Sequence, residues 1–407
     1  MGSIVERALL PWAQKVKTKL NVPVRLRWGE QGASSLELGE FDEPQVEIRV
    51  RDAAALPLLI NPGLDTLGEA YVEGLIDVEG SLSDILAVAH RLAEGAPSGK
   101  DGLIQRLRRR FGHTRESDSK AIQYHYDVSN AFYAHWLDER MVYSCAYFET
   151  GEETLAEAQL RKIDHILAKI RLQPGQRLLD IGCGWGALVL RAAQKFGAHC
   201  VGVTLSKNQY ELARERVREA GLEDRIEIRL QDYRDVNDGP FDRITSVGMF
   251  EHVGLDHLAD YFGHIRSLVK PDGWIMNHGI TSTDPQDGET AHGGGSFIDR
   301  YVFPQGELPH IGTVLRTMQE GGLEAFDVES LRRHYMRTTQ LWSDAFEARA
   351  EQIKPLVSEK TWRIWRVYLA GCAWAFEHDE ISLFQVVCRP SGRLAHELPW
   401  SRRYIYG

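Results

Sequence analysis

Four side chains able to hold or move a proton stand at separate points of this sequence, each inside a short motif. They are Cys145 in MVYSCAYF, Glu251 in MFEHVG, His278 in NHGI and Tyr335 in LRRHY. A glutamate, a histidine and a tyrosine brought together can fix a small anion, the acid through a shared proton and the others as donors. Taken singly, His278 also reads as a histidine satisfied by core hydrogen bonds, and Tyr335 has His334 beside it as a competitor. Cys145 lies among three aromatic residues. A thiol there can serve as a nucleophile, a metal ligand, a small core residue or part of a pocket whose chemistry lies elsewhere.

A second group of residues reads as a ligand cradle. In LLDIGCGWGA, Gly182, Gly184 and Gly186 fall where an apolar run turns into a helix, a place where glycines let backbone approach a ligand at a helix N-terminus. The spacing also fits the dinucleotide fingerprint, which would want an acidic residue after the second strand for the ribose. This chain has Thr204, Leu205 and Ser206 there, and it carries Asp180 inside the glycine motif. The order of strand, D-x-G-x-G-x-G, helix and later strands resembles that of the class I S-adenosylmethionine (SAM) methyltransferases. LQDYRD, after the third strand, fits that resemblance, which implies Asp232 at the adenine amino group and Tyr233 beside it among the cofactor contacts.

The elements that must position these residues are legible as a periodic series. RLLDIG, HCVGVTLS, RIEIRL, FDRITSVG and GWIMNHGI are short apolar runs of the kind buried parallel strands show, with helical stretches between most of them. LEAFDVESL and ISLFQVVCRP add two late strands around a tryptophan-rich helical excursion near residues 338–378. The pattern predicts a doubly wound α/β sheet, with Glu251 and His278 at the carboxyl edge where such sheets bind ligands. Residues 1–100, with strand-like VPVRLRWGEQG and QVEIRVRD, form a small α+β domain. Residues 101–119 form a basic linker, and residues 120–407 a catalytic domain.

Composition narrows the function class. At 407 residues with 43% hydrophobic and 26% charged residues, the chain is an ordinary globular protein of more than one domain. A net charge of −10 argues against general nucleic-acid binding. Five cysteines without a C-x-x-C pair point to a reducing compartment and no metal site. The start of the chain lacks an apolar signal core, so a cytoplasmic protein is expected.

With these pieces placed, the chain resembles the cyclopropane fatty acid synthase family, which includes the mycolic acid cyclopropane synthases. The resemblance runs in order through YHYDVSNAFYAHWLD, YSCAYF, LDIGCGWG, GVTLSKNQ, MFEHVG, NHGI, YVFPQGELP and LRRHY, across residues 123–389. It implies a Rossmann-like SAM-methyltransferase sheet with helical insertions forming an acyl pocket. It implies that a cis double bond attacks the sulfonium methyl and that a bound bicarbonate removes a proton from the resulting cation as a cyclopropane ring closes. Cys145, Glu251, His278, Tyr335 and the backbone of Ile280 would cradle that anion. Tyr143, Ser144, Asp180, Gly182, Gly184, Thr204, Ser206, Gln209, Asp232 and Tyr233 would hold SAM. The implied substrate is the unsaturated acyl chain of a membrane phospholipid, met by a homodimer docked peripherally on the inner face of the cell membrane.

The physical demands agree with those implications. An unactivated alkene must be held in line with the methyl and kept from water, and aromatic faces stabilise a cation by about 0.5–2 kcal/mol each. Tyr143, Tyr147, Phe148 and Phe250 are candidates, with core packing as their ordinary role. Leu9, Leu10 and Trp12 ahead of KVKTKL, and the cations Arg106 and Arg108 to Arg110, offer a membrane-facing surface or a solvated charge run. Trp362, Trp365, Leu369, Cys372 and Phe376 recur at helical spacing and read as an acyl tunnel or a core-facing stripe. Three rivals remain: a fatty-acyl methyltransferase giving a methyl-branched or methylene chain, a small-molecule methyltransferase, and a lipid-binding module without catalysis.

Overall fold

Alternation of apolar and polar residues in three short segments builds the first sheet. Val24, Leu26 and Trp28 point inward from β1 (Val24–Trp28), and Val46, Ile48 and Val50 do the same from β3 (Val46–Val50). With β2 (Ser34–Glu37) and β4 (Ile76–Glu79) they form a four-stranded sheet in the order β2-β1-β3-β4, with only β1 and β3 parallel. The computed structural model describes residues 2–29, 32–94, 128–286, 295–304 and 306–406, with side chains from Leu9 onward. Helix α1 (Gly2–Lys19) adds Leu9, Ala13 and Val16 to the sheet's core, and α2 (Leu64–Val72) and α3 (Leu82–Glu94) add Ala70, Val88 and Leu92.

Two later segments complete this first unit, residues 289–304 and 357–374. Phe297, Tyr301 and Ile364 join its core. A Cβ on Gly68 of α2 would lie 3.0 Å from the Phe297 ring, so this glycine is what lets the two segments meet. Arg363 donates to the carbonyls of Tyr71 and Ile76 and, at 2.7 Å, to Asp77 Oδ1, tying the late helix Glu359–Glu377 to the end of α2 and to β4. The sequence reading places everything after residue 119 in the catalytic domain. The division found here is different, because a four-stranded sheet of this size buries too little without added apolar faces. Residues 101–119, and with them Arg106 and Arg108 to Arg110, lie outside the described residues.

The second unit comprises residues 103–288, 305–356 and 375–407. Helix α4 (Leu155–Lys169) starts on a capping box, Thr154 accepting from the Glu157 N–H while Glu157 accepts from Thr154. Strands β5 (Arg177–Ile181), β6 (His199–Thr204), β7 (Ile226–Leu230), β8 (Phe241–Val247) and β9 (Val269–Ser282) are parallel to their neighbours in this set. β10 (Leu323–Ser330) and β11 (Ile381–Pro390) add antiparallel edges, giving the order β10-β11-β9-β8-β5-β6-β7.

One face of this sheet packs on α4, α5 (Ala187–Phe196) and α6 (Lys207–Glu219). The other face packs on α7 (Leu258–Leu268) and α8 (Ile311–Glu320). The order turns back at β5, so the carboxyl ends of β5, β6 and β8 surround the crevice where such sheets bind ligands. Helix α9 (Arg332–Ala348) follows β10. Among the described residues no helix is long and apolar enough to cross a membrane.

Candidate active site

The glycine turn after β5 is built by left-handed backbone, with φ of 76° at Gly182, 55° at Gly184 and 85° at Gly186. The N–H groups of Gly182 and Cys183 both donate to the Val203 carbonyl, pinning the turn against β6. A cavity opens there, lined by Tyr143, Ser144, Asp180, Gly182, Gly184, Thr204, Gln209 and Tyr233 among the residues expected to hold the cofactor. Ser206 and Asp232 are not in its lining. Ser206 caps α6 instead, its hydroxyl accepting from the Gln209 N–H. The Asp232 carboxylate is gripped by the Arg234 guanidinium at 2.7–3.1 Å, and its neighbours Gln231 and Tyr233 face the cavity.

The cavity has the chemistry a SAM molecule needs. A Cβ on Gly184 or Gly248 would meet open space, so bare backbone faces the void. The Thr204 hydroxyl donates to Gln209 Oε1 at 2.9 Å, which leaves the amide NH2 as that side chain's remaining donor. Asp180 accepts from the Thr245 hydroxyl at 2.7 Å, and burial pushes its carboxyl up to about 6. Lys162 of α4 also lines the cavity and donates to Ser144 Oγ at 2.7 Å. Burial lowers its ammonium to about 8. Gln159, one turn earlier, donates to the Ser144 carbonyl at 2.8 Å, so α4 holds the Tyr143–Ser144 segment from two points.

The five residues expected to form the anion cradle are not in that lining, but a short chain of backbone contacts joins four of them. Glu251, on the helical turn after β8, accepts at Oε1 from the Ile280 N–H at 2.8 Å. Ile280 lies opposite Leu383 of β11, whose carbonyl accepts from the Leu331 N–H. The Leu331 carbonyl accepts in turn from the Tyr335 N–H at 2.9 Å and from the Cys145 thiol at 3.9 Å. His278 precedes Ile280 by two residues on β9 and shares its face of the sheet.

Two atoms in this group are buried without a hydrogen-bond partner among the described residues, Glu251 Oε2 and His278 Nε2. Burial pushes the Glu251 carboxyl up to about 7, partly offset by the Ile280 N–H. Burial, with the charges of Lys162 and Lys169, drives His278 well below the ordinary imidazole value, so it is neutral. Burial also raises the Cys145 thiol far above its ordinary value, which removes the thiolate a nucleophile requires.

The aromatic residues divide differently from expectation. Tyr143 packs on Tyr133, Trp136 and Trp342 with ring centroids 5.2–5.7 Å apart, and Trp342 also meets Tyr335 at 5.9 Å. Trp342 therefore links the cofactor side to the cradle side. Tyr147 is stacked between His165 and His334, Phe148 also stacks on His334, and Phe250 lies against Gly279 of β9. Sequence reasoning missed Lys162, Trp342, Trp185 and Met249. The signal for the first was available: Gln159, Lys162, His165 and Lys169 recur every three or four residues and all are buried on one side of α4.

Comparison with known proteins follows this geometry. Residues 113–386 match the family model described as mycolic acid cyclopropane synthetase. Residues 12–100 match a domain of unknown function (DUF7884). A Pseudomonas putida protein named "Probable fatty acid methyltransferase" is 44% identical over 389 residues, 95% of this chain and 97% of its own length. "Tuberculostearic acid methyltransferase UfaA1" of Mycobacterium tuberculosis is 40% identical over 389 residues, covering 91% of this chain and 88% of its own. The crystal structure of mycolic acid cyclopropane synthase CmaA1 complexed with SAH and CTAB superposes with a TM-score of 0.63 at 38% identity. It covers 66% of this chain and 97% of that one. The matched span contains the cavity and the cradle alike, and the chain belongs to the mycolic acid cyclopropane synthetase family of SAM-dependent methyltransferases.

Proposed function

We propose that this enzyme converts the cis double bond of an unsaturated phospholipid acyl chain into a cyclopropane ring, with a bicarbonate held between Glu251 and His278. The observation that carries the reading is the pair of partnerless buried atoms, Glu251 Oε2 and His278 Nε2. Orphaned polar atoms are costly in a core, about 1–3 kcal/mol each, and two on one site argue for a polar guest. SAM would supply the electrophilic methyl, and the bicarbonate would supply the base that takes the proton. Glu251, protonated near neutral pH, donates from one oxygen to an anion, and the neutral imidazole of His278 donates from Nε2. Cys145 and Tyr335 close the same pocket from α9's side, Cys145 without forming a covalent bond. Tyr143 and Trp342 present aromatic faces between the two sites, where they stabilise positive charge and exclude water. Reaching a mid-chain double bond requires peripheral contact with the bilayer.

A second reading has its own support. Two relatives that span about nine-tenths or more of this chain are named "Probable fatty acid methyltransferase" and "Tuberculostearic acid methyltransferase UfaA1", so a methyl-branched product is the competing outcome. Both products add one CH2, and mass does not separate them. Proton NMR of fatty acids extracted after expression does: upfield ring protons are expected, and a methyl doublet without them means branching.

A further inference from the structure

Gln385, His278 and Glu329 stand in one row across three adjacent strands. Gln385 of β11 is the register partner of His278 on β9 and of Glu329 on β10. Its side chain reaches both ways. Lys169 Nζ donates to Gln385 Oε1 at 3.0 Å, and Gln385 Nε2 lies 3.2 Å from His278 Nδ1. Gln385 and Lys169 are fully buried.

The direction of this chain follows from its source. A lysine ammonium donates and accepts nothing, so it takes the oxygen end of the amide and turns the NH2 toward the imidazole. Burial lowers the Lys169 ammonium from its ordinary value, and the ion pair with Glu329 opposes that shift. Glu329 also meets His165 Nε2 at 2.8 Å and accepts from the Tyr406 hydroxyl at 3.2 Å. Against burial, which would raise it, His165 and Lys169 hold the Glu329 carboxyl well below the usual range.

We infer that Lys169 and Gln385 are positioning residues that lock His278 in its Nε2–H tautomer. Because Gln385 donates to Nδ1, that nitrogen must be the acceptor, and the ring's one proton goes to Nε2. Nε2 is the atom buried without a protein partner, so the lock delivers a donor into the cradle. In the other tautomer a lone pair would face the anion. The role in turnover rests on the bicarbonate reading above, whereas the lock itself does not.

The test combines 15N NMR of the histidine rings with turnover. His278 is identified by the resonance missing from His278→Asn, and Gln385→Met removes the amide at similar size. The full-length wild-type chain is expected to show His278 protonated at Nε2. Gln385→Met is expected to move the proton wholly or partly to Nδ1. With radiolabelled SAM and vesicles of oleoyl phosphatidylethanolamine, its kcat should fall tenfold or more while KM for SAM stays within twofold. Wild type protonated at Nδ1 overturns the lock even if the variant fails to fold, and so does an unchanged tautomer in Gln385→Met. A tautomer that moves while kcat does not would leave the lock standing and overturn its part in the reaction, and the cradle reading with it.

Discussion

Cys145 and Tyr335 share one acceptor, the carbonyl of Leu331, through the thiol of the first and the backbone N–H of the second. The thiol is thereby a donor held in a fully buried place, and burial keeps it protonated. The thiol's shorter contact, 3.2 Å to the Ala146 carbonyl, is one a serine hydroxyl can also make, so Cys145→Ser is expected to keep at least about a third of wild-type kcat. Glu251→Ala should lose at least about a hundredfold, equivalent to about 3 kcal/mol in the barrier. Serine as damaging as the loss of Glu251, measured in one vesicle assay, would restore the nucleophile reading.

Glu251 also marks the stability curve. Between 4.5, its ordinary value, and about 7 the folded protein keeps a proton that the unfolded chain has released. The contribution is complete below pH 4.5 and is lost as pH rises to about 7, a change of about 3 kcal/mol. Urea unfolding of wild type and Glu251→Gln at pH 5 and pH 7.5 isolates it, because Asp180, raised by burial in the same direction, cancels in the difference. Parallel pH dependence in the two proteins would mean that Glu251 is ionised throughout.

At Gly182 a methyl group is excluded twice over. The residue has φ of 76°, and a Cβ would stand 2.7 Å from Met249 Cγ. Gly182→Ala is expected to cost about 1–3 kcal/mol in stability and to weaken SAM binding, as read by denaturation and calorimetry. Adding Met249→Ala should return only part of the loss, since the backbone strain stays.

Lys162 donates to Ser144 Oγ, and both residues line the cavity. Ser144→Ala and Lys162→Met should each weaken SAM binding by about tenfold, or about 1.4 kcal/mol. The double variant should be no weaker than the worse single one, because both break one arrangement. Additive losses by calorimetry would mean that each residue touches the cofactor independently.

The sheet and the glycine turn were legible because both follow from local patterning: five apolar runs with helices between, and glycines where left-handed backbone is needed. The residues expected to form the cradle could be picked out only as members of quoted motifs, since the contact that joins Glu251 to Ile280 crosses from one strand end to another. What escaped was long-range. Asp232 is held by Arg234, two residues away, and no pattern distinguishes that pair from a cofactor contact. Gln385 was not singled out, because its contact with Lys169 joins two elements far apart in the sequence. The stripe of Trp362, Trp365 and Leu369 was read as tunnel or core, and it falls in a segment assigned to the first unit.

That first unit has a consequence for how the polypeptide is made. Its hydrophobic interior needs Phe297, Tyr301 and Ile364, which leave the ribosome long after β1 to β4. At about 5–20 residues per second, the early strands wait on the order of tens of seconds for the residues that close their core. During that interval the early strands lack part of the apolar cover that the finished core gives them.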